Sequence, residues 1–233
     1  MKRHRKNSAV SSTDSRSSQS RASHAEDRGL ASSLASVARE FHGRGWALGT
    51  SGNYSVVVSR TPLRLLITSS GLDKSSLAEG DFLEIDGDGH VLAGNGKPSA
   101  EASLHVAVAR VKNAGCILHT HSVWSTLLSE RHVGERGLAI SGYEMLKGLE
   151  GVRTHQHREW IPIFENDQNI PALAEKVSEI LAREKELHGF LLSAHGLYTW
   201  GEGVAQARRH VEIFEFLLET VGRREFSSTN WSK

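Results

Sequence analysis

The stretch GCILHTHSVWS, Gly115–Ser125, sets two histidines one residue apart at the end of an apolar run. Read as a strand from Cys116 to His121, its side chains alternate between two faces, so His119 and His121 point the same way. Cys116, at an odd offset from His119, points to the other face and reads as a small core residue. Two imidazoles side by side on a rigid strand can hold one metal ion. The H-x-H spacing alone fits two surface histidines equally well.

Outward from that strand, the pattern mixes two periods. Upstream, SAEASLHVAVARVKNAG reads as a helix ending at Gly115, while NYSVVVS and LRLLITSSG read as strands. DFLEIDGDGHVLAG predicts a hairpin turning at Asp86–Gly89. Leu30, Leu34, Val37 and Phe41 recur at helical spacing, and Gly43 and Gly45 stop that helix. Downstream, YEMLKGL predicts a short helix, WIPIF a strand and IPALAEKVSEILAREKEL a long helix. GFLLSAHGLYTWG reads as a strand broken at His195–Gly196, and a last helix begins near Val204 with Ile213, Phe214, Leu217 and Leu218 on one side. Strands mixed with helices, some joined by tight turns, predict a mixed sheet covered by helices.

Composition limits the function classes. The chain has 233 residues and a formal net charge of +1, so nothing calls for nucleic acid or another polyanion as partner. No apolar run approaches the ~18 residues of a membrane span. The single cysteine excludes an intramolecular disulfide framework and fits a reducing, cytoplasmic setting. Residues 1–27 are rich in serine and arginine with almost no apolar side chains, and are expected to form a disordered tail before a domain over 28–233. The segment lacks the apolar face of a transit helix and the apolar core of a secretory signal.

A catalytic zinc site commonly has three protein ligands and an open position. His195, after the apolar run Phe190–Leu192 and beside Gly196, is the candidate third ligand to His119 and His121. His155 and His157 repeat the spacing, but their flanks Arg153, Arg158 and Glu159 are charged, which reads as surface. His105 and His210 lie within helical patterns and read as packing or hydrogen-bonding residues. Glu101 and Glu144 both sit near helix starts, where an acid is favoured whatever its function. Three loops, GTSGNYS, TSSGLDK and GKPSAE, collect small residues whose backbone N–H groups and hydroxyls can hold a phosphate, though each alone reads as a turn. Lys74 and Lys147 read as solvated lysines that can add positive charge nearby.

In order, GTSGNYS, ITSSGLDK, KPSAEASLH, HTHS and AHGLYTWG resemble the class II aldolase/adducin family over about residues 30–222. The resemblance implies a three-layer α/β/α sandwich with a mixed central sheet. It also implies a zinc ion on His119, His121 and His195, and a substrate phosphate on Gly52, Asn53, Ser70, Gly71 and Ser99. Many sugar-phosphate aldolases of the family have a second serine where this chain has Ala100. SGYEMLKGL, WIPIFENDQNI, GFLLSAHGLYTWG and ARRHVEIFEFLLE are similar to members that dehydrate 5-methylthioribulose 1-phosphate in methionine salvage. On that basis Glu144 takes the acid/base role first and Glu101 second. The resemblance also implies a homotetramer with sites near subunit interfaces. A ketose 1-phosphate aldolase and a non-catalytic adducin-like interaction module are the alternatives; the complete histidine set argues against the module.

Overall fold

The computed structural model describes residues 13–227. Its strands are β1 (Asn53–Arg60), β2 (Leu63–Thr68), β3 (Phe82–Asp86), β4 (Val91–Ala93), β5 (Cys116–Thr120), β6 (Gly137–Ser141), β7 (Arg158–Phe164), β8 (Gly189–Leu192) and β9 (Gly196–Gly201). The helices are α1 (Thr13–Gly43), α2 (Ala102–Val111), α3 (Val123–His132), α4 (Ile170–Arg183) and α5 (Val204–Ser227). The strands form one sheet in the order β4-β3-β2-β1-β5-β9-β8-β7-β6. β7 and β8 run parallel, and every other neighbouring pair is antiparallel.

Helices cover both faces. Leu104 and Val108 of α2 and Leu173 and Val177 of α4 pack with Ile67, Ile85, Ile117 and Phe190 on one side. On the other, Leu34 and Phe41 of α1 meet Tyr54 and Leu118, and Phe214 and Leu217 of α5 meet Ile140 and Leu197. Burying each such large side chain contributes roughly 1.5–3 kcal/mol. β5 lies at the centre and is buried throughout, as a strand covered on both faces must be. Its alternation is as expected: Ile117 joins the α2/α4 side, whereas Cys116 and Leu118 join the α1 side.

α1 runs back to Thr13, within the segment read as a tail; residues 1–12 lie outside the described residues. Once the docked half around Leu34, Ala38 and Phe41 nucleates the helix, each further turn costs little. The structure departs from the sequence reading in two places. GFLLSAHGLYTWG is not one interrupted strand but a tight antiparallel hairpin, β8 and β9, with Ala194 at φ +52° in its turn. Glu159, expected on a charged surface, is buried between His157 and His188, with Nε2 and Nδ1 respectively 2.8 and 3.0 Å from its carboxylate oxygens.

Candidate metal centre and active site

The antiparallel register of β5 with β9 sets His119 opposite Tyr198 and Thr120 opposite Leu197. That register carries the β8–β9 turn, and with it His195, to the C-terminal end of β5. Beyond β5 the backbone N–H of His121 donates to the Trp46 carbonyl at 2.8 Å, which holds the second histidine of the pair in place. The three Nε2 atoms converge: His119 to His121 is 2.8 Å, His121 to His195 is 3.1 Å and His119 to His195 is 3.3 Å.

Protonation follows from the outer nitrogens. His119 Nδ1 donates to the Leu197 carbonyl at 3.0 Å, and His195 Nδ1 faces Asn166 Oδ1 at 3.3 Å. A neutral ring that donates from Nδ1 leaves Nε2 as a bare lone pair. Burial holds the His119 pKa well below its ordinary value, helped by the neighbouring His121 and His195. Burial pushes His121 down to about 4 and lowers His195, the latter partly offset by the Glu101 carboxylate. The bare Nε2 atoms of His119 and His195, 3.3 Å apart, repel one another unless a cation lies between them. The donor set therefore fits a divalent, imidazole-preferring metal such as zinc.

A carboxylate faces this cluster. Glu101 stands at the N-terminus of α2, yet its side chain turns inward, Oε1 lying 3.2 Å from His195 Nε2 and 3.7 Å from His119 Nε2. Its other oxygen, Oε2, accepts from Asn53 Nδ2 at 2.6 Å. Asn53 is oriented in turn by buried His105, whose Nε2 meets Asn53 Oδ1 while its Nδ1 meets Ser55 Oγ at 2.7 Å. Burial pushes His105 down to about 3, so it stays neutral and acts through its hydrogen bonds. Tyr198 stacks on His119 with centroids 3.9 Å apart, closing the inner wall.

Comparison with known proteins follows the same lines. The family model for the Class II Aldolase and Adducin N-terminal domain matches residues 32–221. The chain belongs to this family. It is 40% identical to the methylthioribulose-1-phosphate dehydratase of Marinobacter nauticus, over 81% of this chain and 90% of that protein. It is 47% identical to the enzyme of the same name from Pectobacterium atrosepticum, over 76% of this chain and 85% of that one. Among solved structures, YgbL from Escherichia coli superposes with a TM-score of 0.71 at 26% identity, covering 84% of this chain and 89% of that one. L-fuculose-1-phosphate aldolase from Thermus thermophilus shares the fold with a TM-score of 0.70 at 21% identity, over 88% and 99% of the two chains. The class II aldolase-like sandwich expected from the resemblance is thus the observed fold.

Within this class II aldolase-family fold, the expected site residues fall into two groups. His119, His121, His195 and Glu101 come together, and Ser70 and Ser99 line the adjoining cavity of about 500 Å³ with Thr126, Asn166 and Gln168. Asn53 is close by, but its amide is spent on Glu101 and Ser99. Gly52 sits against β5, where a Cβ would lie 2.7 Å from the His119 carbonyl, so its φ of +75° serves close strand approach. Gly71, at φ +77°, shapes the turn after Ser70.

Glu144 is not brought to the histidines of its own chain. Ser141, the last residue of β6, pairs with Arg158 at the start of β7, whereas Phe164 at the other end of β7 is level with Leu192 and the His195 turn. Six residues of strand separate the two ends, about 20 Å. Glu144 is 71% exposed there, paired with Lys147 and 3.8 Å from His155 Nδ1. Lys74, read as solvated, is buried instead and donates from Nζ to the carbonyls of Thr50 and Leu72, tying two of the small-residue loops together. A larger hollow of about 720 Å³ opens near Glu150, His188 and His210, but these groups are bonded to one another: His188 Nε2 donates to the Glu150 carbonyl and the Glu150 N–H donates to His210 Nε2. Asn166 and Tyr198 escaped sequence reading; the polar run ENDQN after a predicted strand was the available signal for Asn166.

Proposed function

We propose that the chain is a lyase, a zinc-dependent dehydratase converting 5-methylthioribulose 1-phosphate to 2,3-diketo-5-methylthiopentyl 1-phosphate and water in methionine salvage. The observation that carries this reading is the convergence of three neutral imidazoles beside Glu101 in a polar cavity. The names of the relatives at 40% and 47% identity supply the substrate.

Held by His119, His121 and His195, the metal would supply a Lewis acid for the substrate's C2 carbonyl, acidifying the neighbouring C3–H. The protein groups do the rest. Asn53 binds Glu101 Oε2 and leaves Oε1 free beside the cluster, placed to take up a proton. Loss of the C3 proton and the C4 hydroxyl releases one water, and the resulting enol tautomerises to the diketone. Ser70 and Ser99 offer hydroxyls to the phosphate, with Gly52, Asn53 and Gly71 shaping the loops around them.

Glu144 keeps an acid/base role only by serving the site of a neighbouring subunit. A homotetramer in the cytoplasm is our proposal for the assembly. The exposed Phe216 and Phe226 of α5 and Val123 beside His121 support association. No helix among the described residues is long and apolar enough to cross a membrane.

The proximity of Glu101 rather than Glu144 favours a second reading, in which a base at the metal cleaves C3–C4 as an aldolase does. Mass spectrometry of products from the zinc-loaded protein separates them: loss of one water supports the dehydratase, and dihydroxyacetone phosphate replaces it with the aldolase. Subunit exchange tests Glu144. Glu144→Gln and His195→Ala, each inactive alone, regain turnover when mixed and reassembled if Glu144 crosses an interface. A Glu144→Gln protein with full turnover would instead leave Glu101 as the sole acid/base.

A further inference from the structure

We propose that Asn166 is a positioning residue that makes His195 a metal ligand, by fixing which of its ring nitrogens carries the proton. This inference rests on the metal reading above and extends it to a residue outside the ligand set.

The three histidines are not held alike. His119 is fully buried and its Nδ1–H is satisfied by a backbone carbonyl, that of Leu197, which cannot turn away. His195 sits in the β8–β9 turn, with its backbone clamped by α3: Thr126 Oγ1 donates to the His195 carbonyl at 3.1 Å, and the Ala194 N–H donates to Ser129 Oγ at 3.1 Å. Those contacts fix where the ring starts but not its tautomer, and Glu101 Oε1, 3.2 Å from Nε2, would draw the proton to the wrong nitrogen. Asn166 Oδ1, 3.3 Å from Nδ1, is the acceptor that requires Nδ1–H and so bares Nε2 toward His119 and His121. Were the amide reversed, its NH2 would donate to Nδ1, the proton would move to Nε2, and His195 would leave the set.

The loop is built to hold this group. Asn166 lies two residues past the end of β7, and the Ser193 N–H donates to the Phe164 carbonyl at 2.8 Å, joining the end of β7 to the His195 turn. The Asp167 N–H donates to Glu165 O, Asp167 Oδ1 accepts from the Asn169 N–H, and Asn169 Oδ1 accepts from Ala172 N–H at the start of α4. The side chains of Asp167 and Asn169 thus stiffen the turn that carries Asn166. Partners that orient ligating histidines typically change metal affinity 10–100-fold when removed.

The test is zinc affinity, measured by competition with a chromophoric chelator. Asn166→Ala is expected to weaken zinc binding roughly ten- to hundredfold. Asn166→Asp, which can only accept, should bind zinc at least as tightly as the wild type. In the cobalt-substituted protein, Asn166→Ala should change the visible ligand-field spectrum and Asn166→Asp should retain it. The apoprotein melting temperature should be the same in all three. Wild-type affinity in Asn166→Ala, or weakened binding in both variants, overturns the inference. A wild-type protein that fails to bind zinc overturns the metal reading itself and is recognised before any variant is made.

Discussion

A methyl group added at Gly196 would lie 2.1 Å from the Thr120 carbonyl oxygen and 3.0 Å from His119 Cε1. This one position therefore couples strand packing to the histidine cluster. Gly196→Ala must push β9 from β5 or tilt the His119 ring; overpacking of this kind costs about 1–3 kcal/mol. The expected outcome is a lower melting temperature together with weaker zinc binding. Gly203→Ala is the control, since nothing lies within 4 Å of a Cβ there. Equal behaviour of the two variants would contradict the coupling. The His119 and His121 pair was legible because strand alternation is local, and Gly196 marked the sharp turn beside His195. The readings of Lys74 and Glu159 failed for the opposite reason. Charged residues default to solvent, and for each of these two a local partner, the Leu72 carbonyl or His157, is completed by a distant one, the Thr50 carbonyl or His188. The hydrogen-bond partners of Asn53 and Asn166 were not legible either, because an amide's partner depends on register that spacing does not encode.

At the scale of elements, α1 joins two materials. Its second half buries Leu34, Ala38 and Phe41, with the Phe41 ring 5.4 Å from Trp46 and 6.1 Å from Tyr54. The first buried residue among the described ones is Ala31. Phe41→Ala is expected to cost about 3–5 kcal/mol in chemical denaturation. A chain starting at Arg28 should keep the full-length denaturation midpoint and turnover, as the proposed domain over 28–233 requires. Loss of stability in the shortened chain would extend the domain back along α1. The strongly periodic helices α4 and α5 and the strands β1, β2 and β7 could all be read from pattern. α3 and β6 could not. In α3, Val123 and Leu127 are exposed while Leu128 is buried, so the apolar residues trace no single face, and β6 is a five-residue edge strand that takes its place from pairing with β7.

Across the whole molecule, buried titratable groups make stability depend on pH in a direction that can be worked out. Burial pushes His105 down to about 3 and His210 to about 4, both below the ordinary histidine value of 6.5. As pH falls below 6.5 the unfolded chain therefore takes up protons that the folded chain refuses, and stability is lost. The site histidines act the same way, because burial lowers all three. Glu215 opposes them. It is buried beneath the histidine strand, accepts from Thr120 Oγ1 at 3.0 Å, and has its carboxyl pushed up to about 7 by desolvation. Between pH 7 and its ordinary value of 4.5 the folded chain holds a proton there that the unfolded chain has released, which adds stability as pH falls. Denaturation midpoints measured from pH 8 to pH 4 should thus decline on the acid side, with Glu215 softening the decline. Glu215→Gln keeps the acceptor for Thr120 and removes the titration. Its stability should fall more steeply between pH 7 and pH 4.5, by about 1.4 kcal/mol per pH unit relative to the wild type. An unchanged slope would mean that Glu215 stays ionised in the fold. The charge beneath Thr120 would then be part of what holds the two histidines on either side of it.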